Sequence, residues 1–142
     1  MLKIAVIDGQ GGGIGSLVVK GLRESFSDAV DIIALGTNSA ATSAMMKARA
    51  DKGATGENAI CFNAERVDLI IGPLSTIMPN GMLGELTPKI AETIAVSKAK
   101  KLLLPLNQEK VGVIGVQKEP LPHLIDRLID ELRPLIQEEH HV

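Results

Sequence analysis

A chain of 142 residues that is 45% hydrophobic has the size of one domain able to bury its own core without disulfides or metal. Its formal net charge of −2 and lack of any dense Lys/Arg stripe argue against a nucleic-acid surface, and no run of 18 apolar residues offers a membrane span. Two phenylalanines with no tyrosine or tryptophan leave little on which a flavin or a base would stack.

The lone Cys61 sits between Ile60 and Phe62, which suits core packing in a reducing compartment. Residues 1–15 lack the basic region and small-residue cleavage site of a secretion signal, so a cytoplasmic protein is expected.

Lys3 to Ile7 reads as a first strand, apolar enough to be covered on both faces as in a parallel sheet. It runs through Asp8 into Gly9-Gln-Gly-Gly-Gly-Ile-Gly15, five glycines in seven positions, and a helix follows over 13–26. In that helix Ile14, Leu17, Val18, Leu22 and Phe26 share one side, while Lys20, Arg23 and Glu24 are expected away from it. Asp31 to Gly36 is the second strand, and Thr37, Asn38 and Ser39 supply helix-capping chemistry before an alanine-rich helix over 39–50. Residues 51–58 read as a break with turn residues. Thr55 is placed to cap a short helix over 56–63.

Val67 to Gly72 is the third strand, stopped by Gly72-Pro73. The loop over 74–86 combines Pro79, Gly81 and Gly84 with Met78, Met82 and Leu83, which predicts a lid or a partner contact. Thr87-Pro88 starts a helix to about residue 99. Strands over 101–106 and 110–116 are separated by three residues only, which predicts an antiparallel hairpin at a sheet edge. A last helix over 122–132 carries His123 near its start, where packing or capping is expected, and Pro134 is expected to end or kink it. Residues 1–137 then form one Rossmann-like α/β domain and 138–142 a frayed tail. The expected architecture is a three-layer Rossmann-like or flavodoxin-like sandwich around a mostly parallel five-stranded sheet of order near 2-1-3-4-5.

Right-handed crossovers bring the loops after the first three strands to one sheet edge. There the glycine loop meets the N-terminus of the first helix, whose leading amides lack intrahelical partners and favour an anion. Gly9, Gln10, Gly11, Gly12, Gly13, Ile14 and Gly15, with Thr37 and Asn38, are therefore the candidate binding residues for a phosphate-bearing small molecule. Gly9 would make the turn, Gly11 to Gly13 would approach phosphate oxygens, and Gly15 would let helix and strand touch. The alternative is a tight turn with no ligand. Asp8 stands awkwardly beside a phosphate: it either accepts backbone N–H bonds that hold the turn, or serves a ribose or a Mg²⁺ ion. Asp8, Glu57 and Glu85 are the candidate catalytic carboxylates, should the loops gather them in one pocket. No zinc-ligand spacing, P-loop lysine or Ser/His/Asp pattern is present, so no resident metal is expected.

The spacing Gly9, Gly13, Gly15 resembles the cofactor loop of short-chain dehydrogenases over about the first 35 residues, which implies NAD(P) or another adenine nucleotide. The resemblance stops there. The end of the second strand reads Gly36-Thr-Asn-Ser39, with neither the ribose-binding carboxylate nor an arginine for a 2′-phosphate, and without tyrosine the catalytic Tyr-x-x-x-Lys is absent. Taken with Ala34-Leu-Gly-Thr-Asn38, Gly53-Ala-Thr-Gly-Glu-Asn-Ala-Ile60, Met82-Leu-Gly-Glu-Leu-Thr-Pro88 and Leu121-Pro-His-Leu-Ile125, the glycine loop also resembles a domain-of-unknown-function family of small bacterial Rossmann-like proteins. That family implies a fold and no activity. Three functions remain open: a nucleotide- or phosphometabolite-binding protein, dehydrogenase-like in its loop; a non-catalytic sensor or assembly subunit forming a homo-oligomer through the 74–86 loop and last helix; and a Mg²⁺-assisted enzyme using Asp8.

Overall fold

Neighbouring side chains of a strand point to opposite faces, and here both faces of the central strands are apolar. The computed structural model describes residues 1–106 and 110–140. Its strands are β1 (Leu2–Asp8), β2 (Val30–Gly36), β3 (Lys52–Thr55), β4 (Leu69–Pro73) and β5 (Lys100–Leu104). The helices are α1 (Gly13–Phe26), α2 (Ser39–Lys47), α3 (Glu57–Ala64), α4 (Pro88–Val96) and α5 (Leu121–His140). The strands form one all-parallel sheet of order β3-β2-β1-β4-β5.

Ile4, Val6, Ile32 and Ala34 face α1 and α5 through Val18, Leu22, Leu124, Leu128 and Leu132. Ala5, Ile7, Ile33 and Leu35 face α3 and α4 through Ile60, Ile90 and Ile94. These two cores make the three layers, each fully buried Ile or Leu contributing roughly 1.5–3 kcal/mol. Because β2 and β4 flank β1 on opposite sides, the chain reverses its direction of winding between β1 and β4. In open α/β sheets the crevice at such a reversal, beyond the C-terminal strand ends, is the usual ligand position.

Several expectations are corrected. The strand order is the 3-2-1-4-5 of a Rossmann sheet, because the stretch read as a break at 51–58 contains β3. Ala54 is the only β3 side chain with an apolar character, so an exposed edge strand gave no hydrophobic pattern to read. The expected antiparallel hairpin is absent: residues 110–116 form no strand, and its turn at 107–109 lies outside the described residues. Gly112 and Gly115 interrupt that stretch, and Gly115 turns the chain at φ 90°. Pro134 does not end α5, which continues to His140. Gly56, not Thr55, precedes α3, and the Thr55 hydroxyl instead lies 2.7 Å from Thr42 Oγ1. Arg23 is turned inward and only 6% exposed. Its guanidinium donates to the carbonyls of Arg49, Ser27 and Val30 and to Asp51 Oδ2. It thereby ties α1 to β2 and to the α2–β3 connection.

Candidate functional site

The first βα turn is built by close approaches that only glycine permits. Gly12, at φ 74°, leads into α1, and a Cβ there would fall 2.8 Å from the Ala41 Cα. A Cβ on Gly15 would meet Met45 Sδ at 2.6 Å and Asp8 Cβ at 2.9 Å, so Gly15 does join the helix to the strand. Gly11 and Gly13, by contrast, have open space where a side chain would be.

The protein supplies its own anions to this turn. Asp8, only 3% exposed, accepts from Gly9 N at 2.8 Å through Oδ1 and from Gly15 N at 2.7 Å through Oδ2. Asp8 thus holds the glycine turn through backbone N–H bonds and engages the Gly15 amide in the first turn of α1. Burial pushes its carboxyl above the usual range, the amides of Gly15, Gly9 and Ile14 oppose that shift, and the charge of Glu85 adds to it.

Glu85 completes the arrangement from the other side. Its Oε1 accepts from Gln10 N at 3.0 Å, Thr37 Oγ1 at 2.7 Å and Asn38 Nδ2 at 2.7 Å. The Gln10 amide is the largest influence, and with Thr37 and Asn38 it holds the Glu85 carboxyl below its usual range despite partial burial. Asn38 also caps α2 through Ala41 N at 2.9 Å and donates to the Gln10 carbonyl at 2.9 Å. Loops after β1, β2 and β4 therefore converge on one carboxylate oxygen.

Glu85 is delivered by the loop over residues 78–86. Asn80 N donates to Leu86 O at 2.8 Å and Leu86 N to Gly81 O at 3.1 Å, which closes the loop on itself. Within it Asn80, Met82 and Leu83 all adopt positive φ, at 65°, 56° and 57°. Left-handed backbone costs roughly 1–2 kcal/mol for each such residue. Met82 is buried, its sulfur 2.7 Å from where a Gly9 Cβ would stand, whereas Leu83 is 88% exposed. A cavity of about 390 Å³ beside this loop is lined by Gln10, Met78, Asn80, Met82, Leu83 and Lys110.

Ahead of this loop, the 3₁₀ turn Leu74–Ile77 that follows β4 carries two hydroxyls, those of Ser75 and Thr76. Ser75 Oγ and Thr76 Oγ1 are fully buried and have no hydrogen-bond partner. An unmade hydrogen bond on a buried group costs about 1–3 kcal/mol. The only signal in the sequence was position, Ser-Thr directly after the Gly72-Pro73 strand stop. Thr76 stands over Gly72, where a Cβ would meet Thr76 Cγ2 at 2.9 Å and the Ile7 carbonyl at 2.7 Å. That places it at the β1/β4 reversal.

The candidate residues Gly9 to Gly15, Thr37 and Asn38 are thus gathered with Asp8 and Glu85 at one edge. Glu57 is not: it opens α3 on the far side of β2, exposed, and makes none of these contacts. Both Asp8 oxygens are engaged by amides, and no group of three or more His, Cys, Asp or Glu among the described residues is placed to hold a metal ion. His123 is exposed, and Cys61 is half-buried against the α3–α4 core. A larger cavity, about 670 Å³, lies away from the glycine loop, between β5 and α5. Leu102, Leu104, Leu124 and Leu128 give it an apolar wall, and Gln117, Glu131 and the Arg127–Glu119 ion pair give it a polar one.

The chain belongs to the family described as Domain of unknown function (DUF3842), whose model matches residues 3–137. No curated protein matches it. Among solved structures it is similar to a dodecameric FMN-dependent UbiX-like decarboxylase from Escherichia coli O157:H7. The TM-score is 0.53 at 15% identity, over 93% of this chain and 94% of that one. That likeness is one of fold. No helix among the described residues is long and apolar enough to cross a membrane.

Proposed function

We propose that this DUF3842 chain binds a phosphate-bearing, nucleotide-type small molecule in the crevice between the loops after β1, β2 and β4. The observation that carries this reading is the set of three donors, Gln10 N, Thr37 Oγ1 and Asn38 Nδ2, aimed at a single oxygen. Such a set is an anion site, and Glu85 is its resident when the 78–86 loop is closed. A ligand phosphate takes the same donors when Glu85 withdraws. Two carboxylates and a phosphate side by side would repel, so exchange is favoured over simple addition. The open faces of Gly11 and Gly13 leave room for the remainder of the ligand. NAD(P), another adenine nucleotide and FMN, on which the decarboxylase of similar fold depends, are the cofactors to try first.

The test is a thermal-shift series with inorganic phosphate, AMP, ATP, NAD, NADP, FMN and coenzyme A, with and without Mg²⁺, on the wild type and on Glu85→Ala. A ligand at 100 times its dissociation constant adds about 2.7 kcal/mol of stability. Binding that strengthens in Glu85→Ala supports exchange. No shift with any compound in either protein overturns the reading.

A second reading, a non-catalytic homo-oligomeric subunit, is favoured by the exposed apolar residues Val111, Val113, Val116 and Ile114, the last 99% exposed, in the segment between β5 and α5. The decarboxylase of similar fold is dodecameric. Light scattering at micromolar concentration decides it, a strict monomer removing this reading.

A further inference from the structure

We infer that Ser75 and Thr76 form the inner subsite of the crevice and take an uncharged hydrogen-bonding group, such as a sugar hydroxyl or a ring amide, joined to the phosphate held outside. This rests on the phosphate reading above and adds the chemical class of what the phosphate carries. Three observations lead to it.

The two hydroxyls are fully buried without partners, although buried polar groups are almost always paired. They also follow β4 directly at the β1/β4 reversal, with Ser75 against the covering segment at Gly81. Thr76 Cγ2 stands over Gly72 beside the Ile7 carbonyl, and Ser75 Cβ lies 3.2 Å from where a Gly81 Cβ would be. Finally, the covering segment departs from relaxed backbone at Asn80, Met82 and Leu83, so its closed form is held against local strain. Lifting it withdraws Glu85 from the Gln10, Thr37 and Asn38 donors and Gly81 from Ser75 in one movement.

The lining defines the occupant. The 3₁₀ turn packs against α4, and the core on that face of the sheet, which includes Ile7, Met82, Leu86 and Ile90, is apolar. A charged group would be desolvated there, while each hydroxyl both donates and accepts. An uncharged group with donors and acceptors fits both conditions.

The experiment compares inorganic phosphate with ribose 5-phosphate, AMP and FMN by calorimetric titration, on the wild type, Ser75→Ala, Thr76→Val and Thr76→Ser. In the wild type at least one organic phosphate should bind about tenfold more tightly than phosphate alone, and Ser75→Ala or Thr76→Val should remove most of that ratio. Phosphate itself should bind all four proteins alike, and Thr76→Ser should keep the ratio. Ligand-free Thr76→Val should be at least as stable as the wild type, since it replaces an unpaired hydroxyl by a methyl group. A ratio unchanged in Ser75→Ala and Thr76→Val overturns the inference while leaving the phosphate reading intact. So does marked destabilisation of ligand-free Thr76→Val, which would mean that the hydroxyl has a partner within the protein. Failure of phosphate and every organic phosphate to bind either the wild type or Glu85→Ala overturns both.

Discussion

Glu85 sets its Oε1 2.7 Å from Asn38 Nδ2, so a residue of the loop after β4 is joined to the end of β2 across the C-terminal end of β1. Sheet order makes this informative, because β2 and β4 are the two neighbours of β1 and the carboxylate spans the crevice between their loops. The Glu85 side chain therefore ties the 78–86 loop to the turns after β1 and β2, beside the packing of Met82. Glu85→Gln keeps an acceptor oxygen but loses the charge that strengthens its three hydrogen bonds. Hydrogen bonds to charged groups are worth about 1.5–3 kcal/mol, less at a half-exposed site, so a loss of about 1–2 kcal/mol is expected. Urea unfolding measures it. Amide exchange at Gln10 and Glu85 should quicken before global unfolding, and unchanged exchange there would mean that the loop is held by Met82 packing alone.

Strands with apolar character on both faces were legible in the sequence because burial on two sides leaves runs such as Ile4 to Ile7 and Ile32 to Leu35. β3 was not, because an edge strand with one alanine buries almost nothing. Arg23 was misplaced because a helical wheel sorts by charge, whereas its guanidinium is buried where three carbonyls and Asp51 converge from segments far apart in sequence. At the site, the glycine turn is readable from spacing, whereas the residue type of Asp8 fits backbone N–H bonds that hold the turn as well as a ribose or Mg²⁺ role. What no spacing contains is a contact such as Gln10 with Glu85, 75 residues apart, and it is that contact which gives the anion position its occupant.

Acid should weaken the Glu85 contact in a way that separates Glu85 from Asp8. The Glu85 carboxyl is held below its ordinary value by the Gln10 amide, Thr37 and Asn38, so its contribution is complete above an unfolded value of about 4.3 and is lost as pH falls through the lower folded value. Asp8 is raised, chiefly by burial, so it has the opposite sign: its contribution is complete below an unfolded value of about 3.9 and declines as pH rises through the folded value. The wild type should accordingly exceed Glu85→Gln in melting temperature near neutrality, and the gap should begin to close as pH falls below about 4.3 and vanish below the lower folded value. A gap that stays constant as the Glu85 carboxyl protonates would show that this contact does not depend on the Glu85 charge.

Arg23 should matter for stability rather than for the crevice. Asp51 Oδ2 accepts from both the Arg23 guanidinium and Ile32 N, the latter at 2.7 Å, and its carboxyl is held below the usual range. Burial opposes that lowering, and the Ile32 amide and Arg23 outweigh it. Arg23→Ala strands three backbone carbonyls, while half-exposed Asp51 rehydrates, so the loss should lie near about 3 kcal/mol. Chemical denaturation of Arg23→Ala, Asp51→Ala and the double variant gives the coupling. Strictly additive effects would show that the two residues act independently.

The glycines of the first turn divide into those that the fold requires and those that a ligand would use, and alanine substitution separates them. Gly12 combines φ 74° with an Ala41 backbone only 2.8 Å from where its Cβ would stand, so Gly12→Ala must both strain the turn and push α2 away. The strain alone is worth about 1–2 kcal/mol, and the displaced helix adds to it. Gly11 has neither constraint, its φ being outside the left-handed region and the space around it open. Gly11→Ala should therefore change stability by less than about 0.5 kcal/mol while obstructing the approach of a phosphate-bearing ligand. Thermal melts of the two variants, with and without the best compound from the nucleotide series, give both comparisons. A Gly11→Ala protein that melts normally and binds that compound as the wild type does would place the ligand away from this turn.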